Sequence, residues 1–135
     1  MDIQNLMETA FSRGAADMHL AVGRRPVLRI GGGFAEVGDA VLTNADTEAM
    51  ARALAPERNW TELQKVGTTD FGYAFGDKCR FRVSILTQKG MRGIVMRQIP
   101  QKLLTFEQIG LPESVLDLLS LHRGLVLVTG PTGSG

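Results

Sequence analysis

The last six residues constrain the chain most: they are Gly130, Pro131, Thr132, Gly133, Ser134 and Gly135. Two glycines at this spacing begin a phosphate-binding loop, whose full pattern continues with Lys and then Ser or Thr. Glycine is needed in such a loop because the backbone adopts positive φ and approaches the anion without a Cβ in the way. The backbone N–H groups then bind phosphate at the N-terminus of the following helix. The ending therefore predicts a nucleotide-phosphate site, and the Lys of the full pattern would be the residue after Gly135.

A phosphate-binding loop must follow a buried strand. Residues 124–129 read Gly, Leu, Val, Leu, Val, Thr, a short uncharged run that is typical of such a strand. The alternative is a glycine-rich surface turn, which is reasonable in a chain with 16 glycines among 135 residues. The strand context favours the phosphate-binding loop.

Composition excludes several function classes. A hydrophobic fraction of 44% and a charged fraction of 21% are those of an ordinary globular protein. The net charge of +1 gives no reason to expect nucleic acid as a partner. Cys79 is the single cysteine, so no internal disulfide forms, and no Cys/His spacing predicts a metal site. With no signal peptide and no run of about 20 apolar residues, we expect a cytoplasmic protein without direct membrane insertion.

The hydrophobic pattern predicts an α+β fold. Apolar residues recur at helical spacing in residues 3–11, 43–54 and 56–66, and alternation predicts strands at 17–22, 27–30, 34–37, 70–75, 78–87 and 91–99. Short links between successive strands predict a mostly antiparallel sheet with flanking helices.

Three segments follow from this pattern. We expect a domain over residues 1–99, an interdomain linker over 100–122, and the start of a second domain over 123–135. The linker is predicted to contain a short helix from Pro112 through Leu119, whose inward side chains are Val115, Leu116 and Leu119.

Two neighbouring strands carry arginines. Alternation places Arg80 and Arg82 on the face opposite Phe81, and it places Arg97 on the same side as Val95. Guanidinium groups on one sheet face could receive phosphate through bidentate hydrogen bonds. The alternative is a solvated face on which arginines protect a sheet edge, and spacing alone favours this second interpretation.

Several motifs resemble those of type IV pilus retraction ATPases, the PilT-type twitching-motility family of the type II/IV secretion ATPase superfamily. They are Ala-Ala-Asp-Met-His-Leu at 15–20, Cys-Arg-Phe-Arg-Val at 79–83, Arg-Gln-Ile-Pro at 97–100, and the run into the phosphate-binding loop at 123–135. These motifs stand in the family's order and at its spacing.

The resemblance implies a hexameric motor whose subunits have an N-terminal PAS-like domain and a RecA-like ATPase domain. It implies ATP and Mg²⁺ as cofactors of the intact protein, with residues 130–135 holding phosphates. Arg82 and Arg97 match the family's two phosphate-sensing arginines, whereas Arg80 and Arg92 are expected to be surface charges. The implied partner is the pilus platform protein of the inner membrane, to which the motor would be peripheral. Asp17 and His19 are expected to form a structural hydrogen-bonded pair.

Two other interpretations remain open. A pilus-assembly or type II secretion ATPase shares these motifs, but such relatives usually carry a longer N-terminal extension and often a tetracysteine module. The short stretch before Ala15 and the single Cys79 favour the retraction branch. A stand-alone PAS-like binding module is the other alternative, and it would leave the loop at Gly130 unexplained. The chain by itself is expected neither to hydrolyse ATP nor to bind it tightly, because the family's catalytic residues would follow Gly135.

Overall fold

The computed structural model describes residues 2–100 and 105–130. The chain divides into two compact units, Met1–Gln101 and Lys102–Gly135.

The first unit contains three α-helices and six strands. The helices are α1 Ile3–Ser12, α2 Asn44–Leu54 and α3 Glu57–Val66, and the strands are β1 Asp17–Leu20, β2 Val27–Ile30, β3 Gly33–Glu36, β4 Thr68–Phe75, β5 Cys79–Gln88 and β6 Met91–Pro100. These elements lie where the hydrophobic pattern predicts them, with ends that differ by one or two residues. The α+β fold class is confirmed.

The six strands form one sheet in the order β3-β2-β1-β6-β5-β4, and every neighbouring pair is antiparallel. Tight turns set the hairpins. Gly31 and Gly32 have φ of 55° and 84° between β2 and β3, which is the left-handed backbone that two-residue hairpin loops require. The two central strands of the sheet, β1 and β6, pair with each other although they are far apart in sequence.

One face of the sheet carries the hydrophobic core. Side chains of β1, β5 and β6 alternate, so that Met18, Phe81, Val83 and Met96 are fully buried on this face. They form a single cluster with the apolar sides of the three helices, represented by Met7, Met50 and Leu63. Cys79 is buried in the same cluster and is an apolar core residue. The helices therefore cover one face of the sheet and leave the opposite face for polar side chains.

Residues of the second unit form a turn over 106–110 and a 3₁₀ helix at Glu113–Ser120. The prediction that Val115, Leu116 and Leu119 point inward is wrong, because no residue of this helix is buried and Leu119 is 76% exposed.

The predicted strand at 124–129 is also absent: these residues have no strand assignment, and Val128 is 94% exposed. A strand exists only through hydrogen bonds to a neighbour, and no described residue pairs with this run.

Candidate functional site

A row of side chains crosses the sheet on the face opposite the helices. The registers pair Phe34 with Arg29, Arg29 with Asp17, Asp17 with Arg97, and Arg97 with Arg82. Residues paired across neighbouring strands point to the same side, with their Cβ atoms about 4.5–5.5 Å apart. We call Arg29, Asp17, Arg97 and Arg82 the charge row. The sheet thereby brings together the two arginines that the sequence selected.

The hairpin between β5 and β6 decides that these two arginines meet. Its two-residue loop is Lys89 and Gly90, with φ of 52° and 76°, and Gln88 pairs with Met91 on either side. Arg82 and Arg97 lie equally far from this turn, so they must face each other. A register shift of one residue would move one of the two arginines to the core face.

Arg97 is anchored by a buried carboxylate. Its Nε donates a hydrogen bond to Oδ1 of Asp17 over 2.8 Å. The Asp17 side chain is only 3% exposed, whereas that of Arg97 is 57% exposed. The two terminal nitrogens of Arg97 have no hydrogen-bond partner among the described residues. Arg97 is therefore held at its Nε and open at its tip.

Arg82 is held more loosely. Its nearest carboxylate is Oδ1 of Asp70, 3.8 Å from Nη2, and the Arg82 side chain is 69% exposed. An exposed ion pair of this kind contributes about 0–1 kcal/mol to stability. The guanidinium of Arg82 can therefore leave Asp70 at little cost in free energy.

An open depression of about 300 Å³ lies over these side chains. Its lining residues are Asp17, Asp70, Arg82, Ser84, Val95 and Arg97. Two guanidinium groups with exposed tips provide the planar donor sets that phosphate and carboxylate oxygens accept best. The two carboxylates balance the two cations, so an incoming anion gains most if it replaces the weak Arg82–Asp70 contact and leaves the Arg97–Asp17 bond intact.

Some of the predicted site residues lie elsewhere. Gly130 is exposed and belongs to no helix or strand, and Pro131, Thr132, Gly133, Ser134 and Gly135 lie outside the described residues. Arg80 is exposed, as predicted. Arg92 is not a surface charge: it is 11% exposed and donates from Nε to Glu48 over 2.9 Å, which joins β6 to α2.

The predicted pair of Asp17 and His19 is wrong as well. Asp17 bonds to Arg97, and the His19 ring meets the edge of Phe34 with centroids 6.1 Å apart. Alternation does place both side chains on one face. Each side chain, however, contacts the residues opposite it on the neighbouring strands, and these partners differ for Asp17 and His19.

Sequence reasoning missed Asp17 and Asp70 as partners of the arginines. Asp70 could have been found, because β4 and β5 form a short hairpin that brings Asp70 diagonally next to Arg82. Asp17 lies 80 residues before Arg97, and no local signal predicts that β1 pairs with β6.

Among the described residues, no group of three or more His, Cys, Asp and Glu side chains could hold a metal ion. Within the same ranges, no helix is long and apolar enough to cross a lipid bilayer.

The fold and the site together define an α+β domain with an exposed pair of guanidinium donors on the open face of its sheet. The sequence matches the family described as type II/IV secretion system protein over residues 2–135. The chain belongs to this family.

Among curated relatives, the type IV pilus retraction ATPase PilT of Pseudomonas aeruginosa is 35% identical over 135 residues, covering 100% of the chain and 39% of the relative. The type IV pilus ATPase PilU of the same organism is 27% identical over 135 residues, covering 100% of the chain and 35% of the relative. The chain thus spans little more than a third of the length of these relatives.

Solved structures agree. The crystal structure of the pilus retraction motor PilT with bound ADP superposes with a TM-score of 0.77 at 34% identity, covering 98% of this chain and 39% of that one. The ATPase DotB of Legionella pneumophila gives a TM-score of 0.77 at 22% identity, covering 97% of this chain and 38% of that one, and shows the shared fold alone.

Proposed function

We propose that this chain is the N-terminal part of a hexameric cytoplasmic ATPase that powers type IV pilus retraction. Its open sheet face would contribute Arg82 and Arg97 to an ATP site completed by the phosphate-binding loop. The observation that carries the proposal is the register that sets these two arginines opposite each other with exposed tips. The similarity to a pilus retraction ATPase along the whole chain supports the choice of reaction.

The residues present fit a triphosphate. Arg82 and Arg97 offer charged donors that retain their charge at any physiological pH, and Ser84 adds a hydroxyl to the same depression. ATP, with Mg²⁺, supplies the phosphoanhydride bond and the charge that develops when it breaks. Arg97 would stabilise that charge from a fixed position, and Arg82 would swing from Asp70 to the phosphate. Residues 130–135, apart from Pro131, which has no N–H, would bind phosphate through their backbone N–H groups.

The partners follow from the same proposal. A pilus motor acts through the platform protein of the inner membrane, so this protein would be peripheral to that membrane and soluble in the cytoplasm. A hexamer would place each site at the boundary between domains, where closure of the domains brings the arginines to the nucleotide. The motor would then generate force because the position of the N-terminal domain would depend on whether phosphate is bound.

The test is ATP hydrolysis by the full-length protein and its Arg82→Ala and Arg97→Ala variants. Each substitution is expected to lower kcat/KM at least tenfold, which corresponds to about 1.4 kcal/mol of transition-state stabilisation. Arg80→Ala is the matched control, because Arg80 is exposed on the same face of β5 but does not line the depression. If all three variants hydrolysed ATP as the parent does, Arg82 and Arg97 would be surface charges with no role in hydrolysis.

A second measurement separates retraction from assembly. Deleting the gene of a retraction motor should leave surface pili in place while twitching stops. Deleting an assembly motor should remove the pili. A strain without pili would therefore favour the assembly ATPase, and a full-length hexamer that hydrolyses no ATP would favour the binding module.

A further inference from the structure

We propose that Asp17 is the positioning residue for Arg97, and that Asp70 has the opposite role and competes with phosphate for Arg82. The proposal rests on the proposed function, since the two arginines matter only if they meet a phosphate. Both aspartates line the same depression, yet their geometry differs in burial, in distance and in the nitrogen that they contact.

The point of contact supports a positioning role. Asp17 accepts from Nε of Arg97, at the base of the guanidinium. A bond there fixes the plane of the group and leaves both terminal nitrogens for a ligand. Asp70 lies near a terminal nitrogen of Arg82, the position that an incoming phosphate would use.

Burial makes the Asp17 carboxylate rigid. It is 3% exposed and lies on β1, which has a neighbouring strand on each side. Arg97 lies opposite it on β6, and Arg29 lies opposite it on β2. Oδ2 of Asp17 lies 3.9 Å from Nη1 of Arg29, so both carboxylate oxygens face cations. A carboxylate held in this way cannot turn to follow Arg97, and Arg97 must instead adopt the direction that Asp17 sets.

Immobilisation helps binding because the side-chain entropy has already been lost before the ligand arrives. Ordering a long side chain on binding costs conformational entropy, and a misplaced catalytic group loses much of its effect. The weak pair of Arg82 and Asp70 gives no such benefit. It adds only a carboxylate that repels the phosphate and occupies its donor.

The experiment compares Asp17→Asn with Asp70→Asn in the full-length protein. Both changes remove one negative charge from the same depression, so simple electrostatics predicts a gain in phosphate binding for both. Positioning by Asp17 predicts that Asp17→Asn lowers kcat/KM for ATP at least tenfold. Competition by Asp70 predicts that Asp70→Asn raises kcat/KM. Changes in the same direction, or no change in Asp70→Asn, would overturn the proposal.

A double-mutant cycle excludes a general folding effect. If Asp17 acts through Arg97, the Asp17→Asn change should cost less than twofold when Arg97 is already Ala. A full tenfold loss in that background would mean that Asp17 acts on the fold instead. Thermal unfolding of each variant accompanies the kinetics.

A third measurement needs neither catalysis nor a variant of Asp17. In the 135-residue chain, nitrogen-15 NMR can follow the Nε–H groups of Arg97 and Arg82, assigned with the corresponding Lys variants. The Arg97 signal should exchange with water at least tenfold more slowly than that of Arg82. Equal exchange rates would overturn the positioning role. Slow exchange of the Arg97 signal, together with a full-length protein that hydrolyses no ATP, would refute the proposed function alone.

Discussion

At the scale of single residues, the start of α2 is fixed by two side chains that bond to each other's backbone. Thr43 accepts from the N–H of Asp46 over 3.2 Å, and Asp46 accepts from the N–H of Thr43 over 2.8 Å. The Thr43 hydroxyl also donates to Asp46 over 2.6 Å. The hydrogen bond from the Thr43 side chain has the larger effect and that from the Thr43 backbone the smaller, and both lower the pKa of Asp46 below its ordinary value.

A pH dependence follows from this lowered pKa. The charged form of Asp46 is favoured by folding, so its contribution to stability is complete above the pKa of the unfolded chain and is lost as the pH falls through the lowered pKa of the folded state. We expect Asp46→Asn to be less stable than the parent near pH 7 and to approach the parent in acid. Urea unfolding of both proteins at several pH values measures the difference.

Thr43→Val is the companion variant, because it removes the hydroxyl and nearly keeps the shape. The pKa of Asp46, followed by NMR of its carboxyl carbon, should rise toward the ordinary value in this variant. An unchanged pKa would show that the hydrogen bond from the Thr43 hydroxyl does not cause the shift.

At the scale of elements, alternation and turn residues predicted every helix and strand of the first unit, with ends that differ by one or two residues. Local spacing assigns side chains to faces, as it does for Arg82 and Phe81 on opposite sides of β5. It cannot assign neighbours across long sequence distances. The pairing of β1 with β6, and with it the bond of Asp17 to Arg97, is decided by the packing of the whole sheet.

The remaining errors have a common physical cause. The predicted strand at 124–129 and the apolar side of Glu113–Ser120 both depend on a second layer that would cover them. An apolar pattern shows only which side could be buried, and burial itself requires neighbours that no local pattern contains.

Gly67 offers a test at this scale. It ends α3 with φ of 84°, and its N–H bonds to the carbonyl of Leu63. A Cβ at this position would lie 3.9 Å from Cβ of Thr87, an ordinary contact, so the cost of Gly67→Ala is conformational. We expect this variant to lose about 1–2 kcal/mol of unfolding free energy, measured in urea.

Gly72→Ala is the control for Gly67→Ala. Gly72 lies within β4 with no positive φ, and a Cβ there would meet only the tip of Arg80 at 3.7 Å. Alanine in a strand should be neutral or slightly stabilising. If both variants lost the same free energy, the left-handed backbone of Gly67 would not be the cause.

At the scale of the whole molecule, core and site lie on opposite faces of one sheet. Residues such as Met18, Val83 and Met96 give the strands a fixed register on the buried side, and that register aligns Arg97 with Asp17 on the other side. Core packing therefore sets the alignment of the side chains in the charge row. The division into residues 1–99, 100–122 and 123–135 stays a prediction, and it can be tested by shortening the chain.

A chain that ends at Pro100 should fold as stably as the 135-residue chain. Every buried apolar side chain of the described residues lies between Ile3 and Met96, so the shortened chain keeps the whole of this core. We expect the two unfolding free energies to agree within about 0.5 kcal/mol, the range of changes that leave buried features untouched. Urea unfolding followed by Trp60 fluorescence measures both. A larger loss would mean that residues after Pro100 stabilise the first unit and that a linker does not begin there.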